Sequence, residues 1–168
     1  MKIACVTSPE PGKTDEVLSA VASQLRGQGV SLAGVVRDIG YVSGFANGCD
    51  AQVVVLPDGP VIKITQDLGR GSDACRLDPG KIAEAVAIVE SGTLNQADLF
   101  ILNKFGPEEA AGRGFCAAIG TALEHGVPVL VGVGAATKAA FDHFSDGVAT
   151  SVEPQANAIL AWLQAPAE

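Results

Sequence analysis

Gly12, Lys13 and Thr14 follow closely on the apolar run Ile3, Ala4, Cys5, Val6. A strand entering a glycine-bearing loop, with a lysine and a hydroxyl residue heading the next helix, is an arrangement that binds phosphate. Backbone N–H groups wrap the anion, the lysine neutralises its outer charges and the hydroxyl ligates Mg²⁺. The usual spacing, GxxxxGK[ST], would span residues 7–14, and Thr7 stands where its first glycine belongs. Pro9 and Pro11 stiffen the loop and withdraw two donors from it. The plain alternative is a Pro-Gly turn with Lys13 in solvent and Thr14 capping the helix. The strand-then-helix context favours phosphate, with ATP or GTP and Mg²⁺ as the expected ligands.

Hydrolysis of a bound nucleotide also needs a carboxylate at the end of a neighbouring strand, to hold Mg²⁺ through water and orient the attacking water. After Leu99-Phe100-Ile101-Leu102 the chain has Asn103 and Lys104 instead. Asn103 can hydrogen-bond a metal-bound water without adding charge, and Lys104 can contact phosphate; both also suit a polar turn. The stretch misses the guanine-reading NKxD pattern because Gly106 takes the aspartate position, which removes the acceptor for guanine N–H donors. Glu109 and Arg113 lie four apart and read either as a surface helix pair or as a water-activating carboxylate and a phosphoryl-charge stabiliser. Gly112 and Gly114 in mid-helix favour the second reading, since glycine weakens a helix unless something approaches closely. Arg76, in a polar loop with Arg70 and Asp73, is placed to cover an anion. Gly132 to Thr137 reads as a tight turn at the ligand edge of a sheet, without the third glycine of a dinucleotide fingerprint.

The elements that must carry these residues alternate between apolar runs and helix-period stretches, the pattern of a parallel sheet with helices on both faces. Strands are expected at 2–7, 31–37, 98–103, 128–133 and 148–152. Helices are expected at 13–28, 79–91, 108–125, 137–144 and 154–163. Residues 52–56 and 61–64 flank Pro57-Asp58-Gly59-Pro60 and read as a β-hairpin. Residues 65–77 read as a long loop, and Asp78 before Pro79 reads as an N-cap.

The 168 residues read most simply as one domain, 1–168, rich in apolar residues and poor in charged ones. A net charge of -8 with scattered basic residues disfavours nucleic acid and anionic lipid as main partners. No apolar run reaches the roughly 18 residues of a membrane span, and no secretory leader opens the chain, so a cytoplasmic location is the expectation. Cys5, Cys49, Cys75 and Cys116 form no CxxC pair and read as reduced thiols; with two histidines, a zinc site has little support.

Gly12-Lys13-Thr14, Gly34 to Arg37 before Ser43-Gly44-Phe45, and the Pro57-Asp58-Gly59 hairpin resemble the P-loop group. That group holds the small cancer-related nucleoside-triphosphatases and the MobB-type proteins of molybdopterin-guanine dinucleotide assembly. In this resemblance Asn103 and Lys104 align with the phosphatases' acidic pair, Gly106 with their glycine and Glu109 with their glutamate. Cys75-Arg76-Leu77-Asp78-Pro79, Asn103-Lys104-Phe105-Gly106 and Gly112-Arg113-Gly114 are similar to an uncharacterised bacterial P-loop family associated with molybdate uptake. The resemblance implies an α/β, three-layer P-loop NTPase-like fold, a mainly parallel sheet extended by an antiparallel hairpin. It implies no established reaction; the residues themselves lead to the expectation of nucleotide binding through Gly12, Lys13, Thr14, Asn103, Lys104 and Arg76, with Thr14 on the metal. A nucleoside-triphosphatase reading and a non-catalytic oxyanion or molybdenum-cofactor accessory reading, with a molybdenum-pathway protein as partner, both stay open.

Overall fold

The computed structural model describes residues 1–44, 50–69 and 77–166. Strand β1, Ile3–Val6, is buried along its whole length and leads through the loop into helix α1, Lys13–Gly27. One stripe of α1, Val17, Leu18, Val21, Ala22 and Leu25, is buried, as its periodicity requires. Strand β2 is Leu32–Arg37, and β3, Gln52–Val55, and β4, Val61–Lys63, form the expected hairpin. Helix α2, Pro79–Ser91, starts where Asp78 accepts hydrogen bonds from the Gly80 and Lys81 N–H groups at 2.9 and 3.2 Å. Strand β5 is Leu99–Phe105, followed by helices α3, Pro107–Ala110, and α4, Cys116–Glu124. Strand β6, Val129–Val133, helix α5, Lys138–Phe144, strand β7, Thr150–Val152, and helix α6, Ala156–Gln164, complete the described chain.

The strands lie side by side in the order β4-β3-β2-β5-β6-β1-β7. β2, β5, β6, β1 and β7 are parallel, while β3 pairs antiparallel with β2 and with β4. Successive residues of a strand face opposite ways, so the sheet feeds two cores. Ala4, Val6, Leu99, Ile101 and Leu130 pack with α1 and α6, whereas Cys5, Phe100, Leu102, Val129 and Val131 pack with α2 and α4. The fold is thus the expected three-layer α/β arrangement, a mainly parallel sheet with an antiparallel hairpin at one edge.

Two local expectations change. The helix expected over 108–125 is broken into α3 and α4, because Gly112 and Gly114 adopt left-handed backbone with φ of 77° and 55°. Strand β5 runs on to Phe105, two residues past the expected end at Asn103, so Lys104 also lies within it. Asn103 and Lys104 sit at an irregularity: Leu102 is level with Val131 and Phe105 with Val133, three steps on β5 against two on β6. A bulge of this kind re-aims side chains at the edge of a sheet.

Candidate functional site

From β1 the chain crosses through α1 to β2, on the far side of β6 and β5. The loop of residues 7–14 therefore opens at the carboxyl edge of the sheet, where strand order reverses and ligands of open α/β sheets bind. Gly12 caps α1 with φ of 80°, a backbone conformation that side-chain-bearing residues rarely adopt, and nothing crowds the position of its absent Cβ. The loop closes on itself through Lys13 N–H to the Glu10 carbonyl at 3.2 Å and Glu10 N–H to the Ser8 hydroxyl at 3.1 Å. Thr14 and Asp15 belong to the first helical turn, whose N–H groups have no intrahelical acceptor. Thr7 Oγ1, where the loop leaves β1, is buried without a hydrogen-bond partner among the described residues.

The loop forms one wall of a cavity of about 210 Å³, and Gly132, Gly134, Asn103 and Lys104 form the other. Strand β6 lies between β1 and the Asn103 strand, so the two walls meet across Gly132. A Cβ there would lie 2.0 Å from the Asn103 carbonyl oxygen and 3.0 Å from Thr14 Cγ2. Glycine is what permits this approach, and the turn read at 132–137 has its meaning in that packing. Asn103 is buried, with its Nδ2 3.5 Å from Asp15 Oδ1; Asp15 Oδ2 in turn lies 3.7 Å from Arg37 Nη1. Lys104 is exposed at the cavity wall.

The distribution of cationic partners singles out two lysines. Arg26, Arg37, Lys63, Lys81, Arg113 and Lys138 each face a carboxylate. Lys2 donates to the carbonyls of Leu163 and Ala165. Among the described residues Lys13 and Lys104 have no such partner. Lys104 lines the cavity, and Lys13 stands between Gly12 and Thr14, which line it.

A larger cleft of about 390 Å³ adjoins this cavity and shares Asp15, Asn103 and Lys104 with it. Its floor is apolar, including Val35, Leu102, Ile82 and Phe115. Glu109 lines it, yet both carboxylate oxygens are already taken: Oε2 accepts Gly106 N–H at 2.9 Å and Oε1 accepts Phe115 N–H at 3.0 Å. The buried carboxylate thus holds the turn between α3 and α4. Arg113 does not pair with Glu109. Its guanidinium makes a two-pronged contact with Glu108 at 2.9 and 3.0 Å, is 63% exposed and lines neither cavity. Hydrogen bonding from Arg113 lowers the Glu108 pKa and raises its own, the pattern of an exposed ion pair.

Asp50, which lines the cleft, has no counterpart among the sequence expectations. It is 1% exposed and accepts from Thr65, Tyr41, Gly44 N–H and Lys63. Burial pushes its pKa up, but these hydrogen bonds outweigh it and hold the carboxyl far below its ordinary range. Asp15 likewise has no counterpart among the sequence expectations, since nothing local indicates that it faces Asn103. Burial raises the pKa of Cys5, and burial followed by the Glu109 charge raises that of Cys116 to about 11, so neither thiol is primed as a nucleophile. Arg76, Arg70, Asp73, Phe45, Cys49 and Cys75 lie outside the described residues. Within the described residues, no helix is long and apolar enough to cross a membrane.

Known proteins share this fold. A human cancer-related nucleoside triphosphatase superposes with a TM-score of 0.69 at 14% identity, over 100% of both chains. THEP1 from the hyperthermophile Aquifex aeolicus does so with a TM-score of 0.59 at 13% identity, over 98% of this chain and 100% of its own. In sequence, the chain is 33% identical over 162 residues to the molybdenum import ATP-binding protein ModC 2 of Bradyrhizobium diazoefficiens. That match covers 96% of this chain and 18% of the relative, so the chain spans about a fifth of the relative's length. The family model that matches residues 3–162 accounts for nearly the whole sequence, and the chain belongs to that family, described as protein of unknown function (DUF2478).

Proposed function

We propose that residues 1–168 act as one nucleotide-binding unit that takes a nucleoside triphosphate, ATP or GTP, with Mg²⁺ at the loop of residues 7–14. The observation that carries this reading is that the two lysines with no carboxylate or carbonyl partner among the described residues are Lys104, which lines a small cavity under a helix N-terminus, and Lys13, which stands between its lining residues Gly12 and Thr14. The residues present suit the ligand. Gly12 leaves the loop backbone open, Gly132 leaves room at the facing wall, and Thr7 Oγ1 is a buried oxygen lacking a partner. Gly12 and the first-turn N–H groups would hold phosphate, Lys13 its outer oxygens, Thr14 the Mg²⁺, and Asn103 and Lys104 the opposite side. Mg²⁺ bound there would neutralise the phosphate charge. Among the described residues no group of three or more acids, cysteines and histidines forms a ready-made metal cage, and Mg²⁺ ordinarily relies on one or two protein ligands plus phosphate.

Hydrolysis is slow or absent in this reading, since Glu109 is committed to backbone, Arg113 to Glu108, and β5 offers no acid at Asn103 or Lys104. Calorimetry of ATP and GTP with Mg²⁺ should show saturable binding, and Lys13→Ala should weaken it at least about tenfold, the loss of one charge-assisted phosphate contact. Failure of both nucleotides to bind the natural chain overturns the reading.

The second reading is a non-catalytic oxyanion or molybdenum-cofactor accessory protein, partnered with a molybdenum-pathway protein and related in role to the MobB-type proteins. Lys104 in place of an acid favours it, and the relative's name, a molybdenum import ATP-binding protein, points the same way. Molybdate or molybdopterin binding in the absence of nucleotide turnover supports it; sustained phosphate release counts against it. Both readings put the protein in the cytoplasm.

A further inference from the structure

Asp15 belongs to both cavities. It lines the phosphate cavity beside Thr14 and the adjoining cleft beside Arg37, and only Asn103 and Lys104 share that position. Its contacts are long, 3.5 Å to Asn103 Nδ2 and 3.7 Å to Arg37 Nη1, against 2.9 Å between Arg113 and Glu108. A carboxylate offers about four acceptor sites and prefers charged donors at about 2.7–2.9 Å, so Asp15 keeps capacity for another ligand. The plain reading is an acid placed in the first turn to complement the helix dipole. Glu16 fills that role equally, yet it lines neither the phosphate cavity nor the adjoining cleft.

Charge decides between the two. Asp15, paired with Arg37 only at 3.7 Å, shares the cavity lining with the exposed Glu10; carboxylates there repel a triphosphate, and the chain as a whole carries -8. Lys104 on the facing wall is a single positive charge, and Asn103 between them is neutral. A hard divalent cation between Asp15 and the phosphates reverses the sign of the interaction, using oxygen ligands of the kind Asp15 and Thr14 supply. Resting on the nucleotide-binding reading above, we infer that Asp15 is the metal-holding carboxylate of this chain. It serves from the helix in place of the acid that β5 lacks, which makes triphosphate binding dependent on a divalent cation.

The test is calorimetry of the full chain with the non-hydrolysable β,γ-imido analogues of ATP and GTP, in Mg²⁺ and in EDTA, alongside Mn²⁺ titration followed by electron paramagnetic resonance. The natural chain should bind at least about tenfold tighter with Mg²⁺. Asp15→Asn should bring that ratio close to one, leave metal-free binding equal or tighter, and release Mn²⁺. Adding Asn103→Asp to Asp15→Asn should restore both the ratio and the Mn²⁺ signal, since it returns the charge from across the 3.5 Å gap. Asp15→Glu, which keeps the charge, should retain metal dependence and serves if the amide variant unfolds. Undiminished Mg²⁺ dependence in Asp15→Asn, or its loss in Asp15→Glu, overturns this inference while leaving nucleotide binding intact. Absence of binding by the natural chain under every condition overturns both readings.

Discussion

Carboxylates that look alike in a sequence have separate fates here. Glu109 is consumed by two backbone N–H groups, Asp15 is loosely held at the ligand edge, and Asp50 is buried under four donors. For Asp50 the sign of the pH effect follows directly. Its folded pKa is depressed, so its contribution to stability is present above the unfolded carboxyl value of roughly 3.9 and is lost as pH falls below it. Asp50→Asn should therefore unfold at lower urea than the natural chain at pH 7, with the gap narrowing on acidification below about pH 4. A gap independent of pH would show that the carboxylate charge adds nothing. The Asp50 ring of donors was not legible in the sequence, because Tyr41, Lys63 and Thr65 come from segments that the hairpin and its flanks bring together.

At the scale of elements, the turn between α3 and α4 depends on glycine for two different reasons. Gly112 needs only its left-handed backbone, with φ of 77° and open space around it, whereas Gly114 must also admit Glu109. A Cβ at Gly114 would lie 2.0 Å from Glu109 Oε1 and 2.8 Å from Glu109 Cδ. Gly112→Ala should cost about 1–2 kcal/mol, the left-handed penalty alone. Gly114→Ala should cost about 1–3 kcal/mol more, because it dislodges a carboxylate from buried backbone donors. Equal urea midpoints for the two variants would show that the Glu109 contact carries no weight. Both glycines were expected inside one long helix with something approaching closely; at Gly114 a side chain of the same segment does so, whereas Gly112 has open space.

The whole molecule is acidic, and Glu10 and Asp15 both line the small cavity, so under the proposed nucleotide-binding reading affinity for a triphosphate depends on the accompanying cation as much as on loop shape. At ligand about a hundredfold over Kd, selective binding to the folded state adds about 2.7 kcal/mol. For a chain of this size that raises Tm by about 5–10 °C. Thermal unfolding with ATP and Mg²⁺ should show this rise, and EDTA should remove it; a nucleotide shift that survives chelation would mean the backbone cradle suffices alone. The sequence by itself determined the alternation of strands and helices, the Asp78 cap, the hairpin and the loop before α1. All of these follow from local periodicity, capping and turn chemistry, which act over a few neighbouring residues. Long-range packing places β6 between the loop strand and the Asn103 strand, puts Asn103 and Lys104 at a bulge on the cavity wall, brings Thr14 and Asn103 together over Gly132 and sets Asp15 facing Asn103. Those outcomes depend on strand order and register, set by pairings between residues far apart in the chain, and no local pattern encodes them.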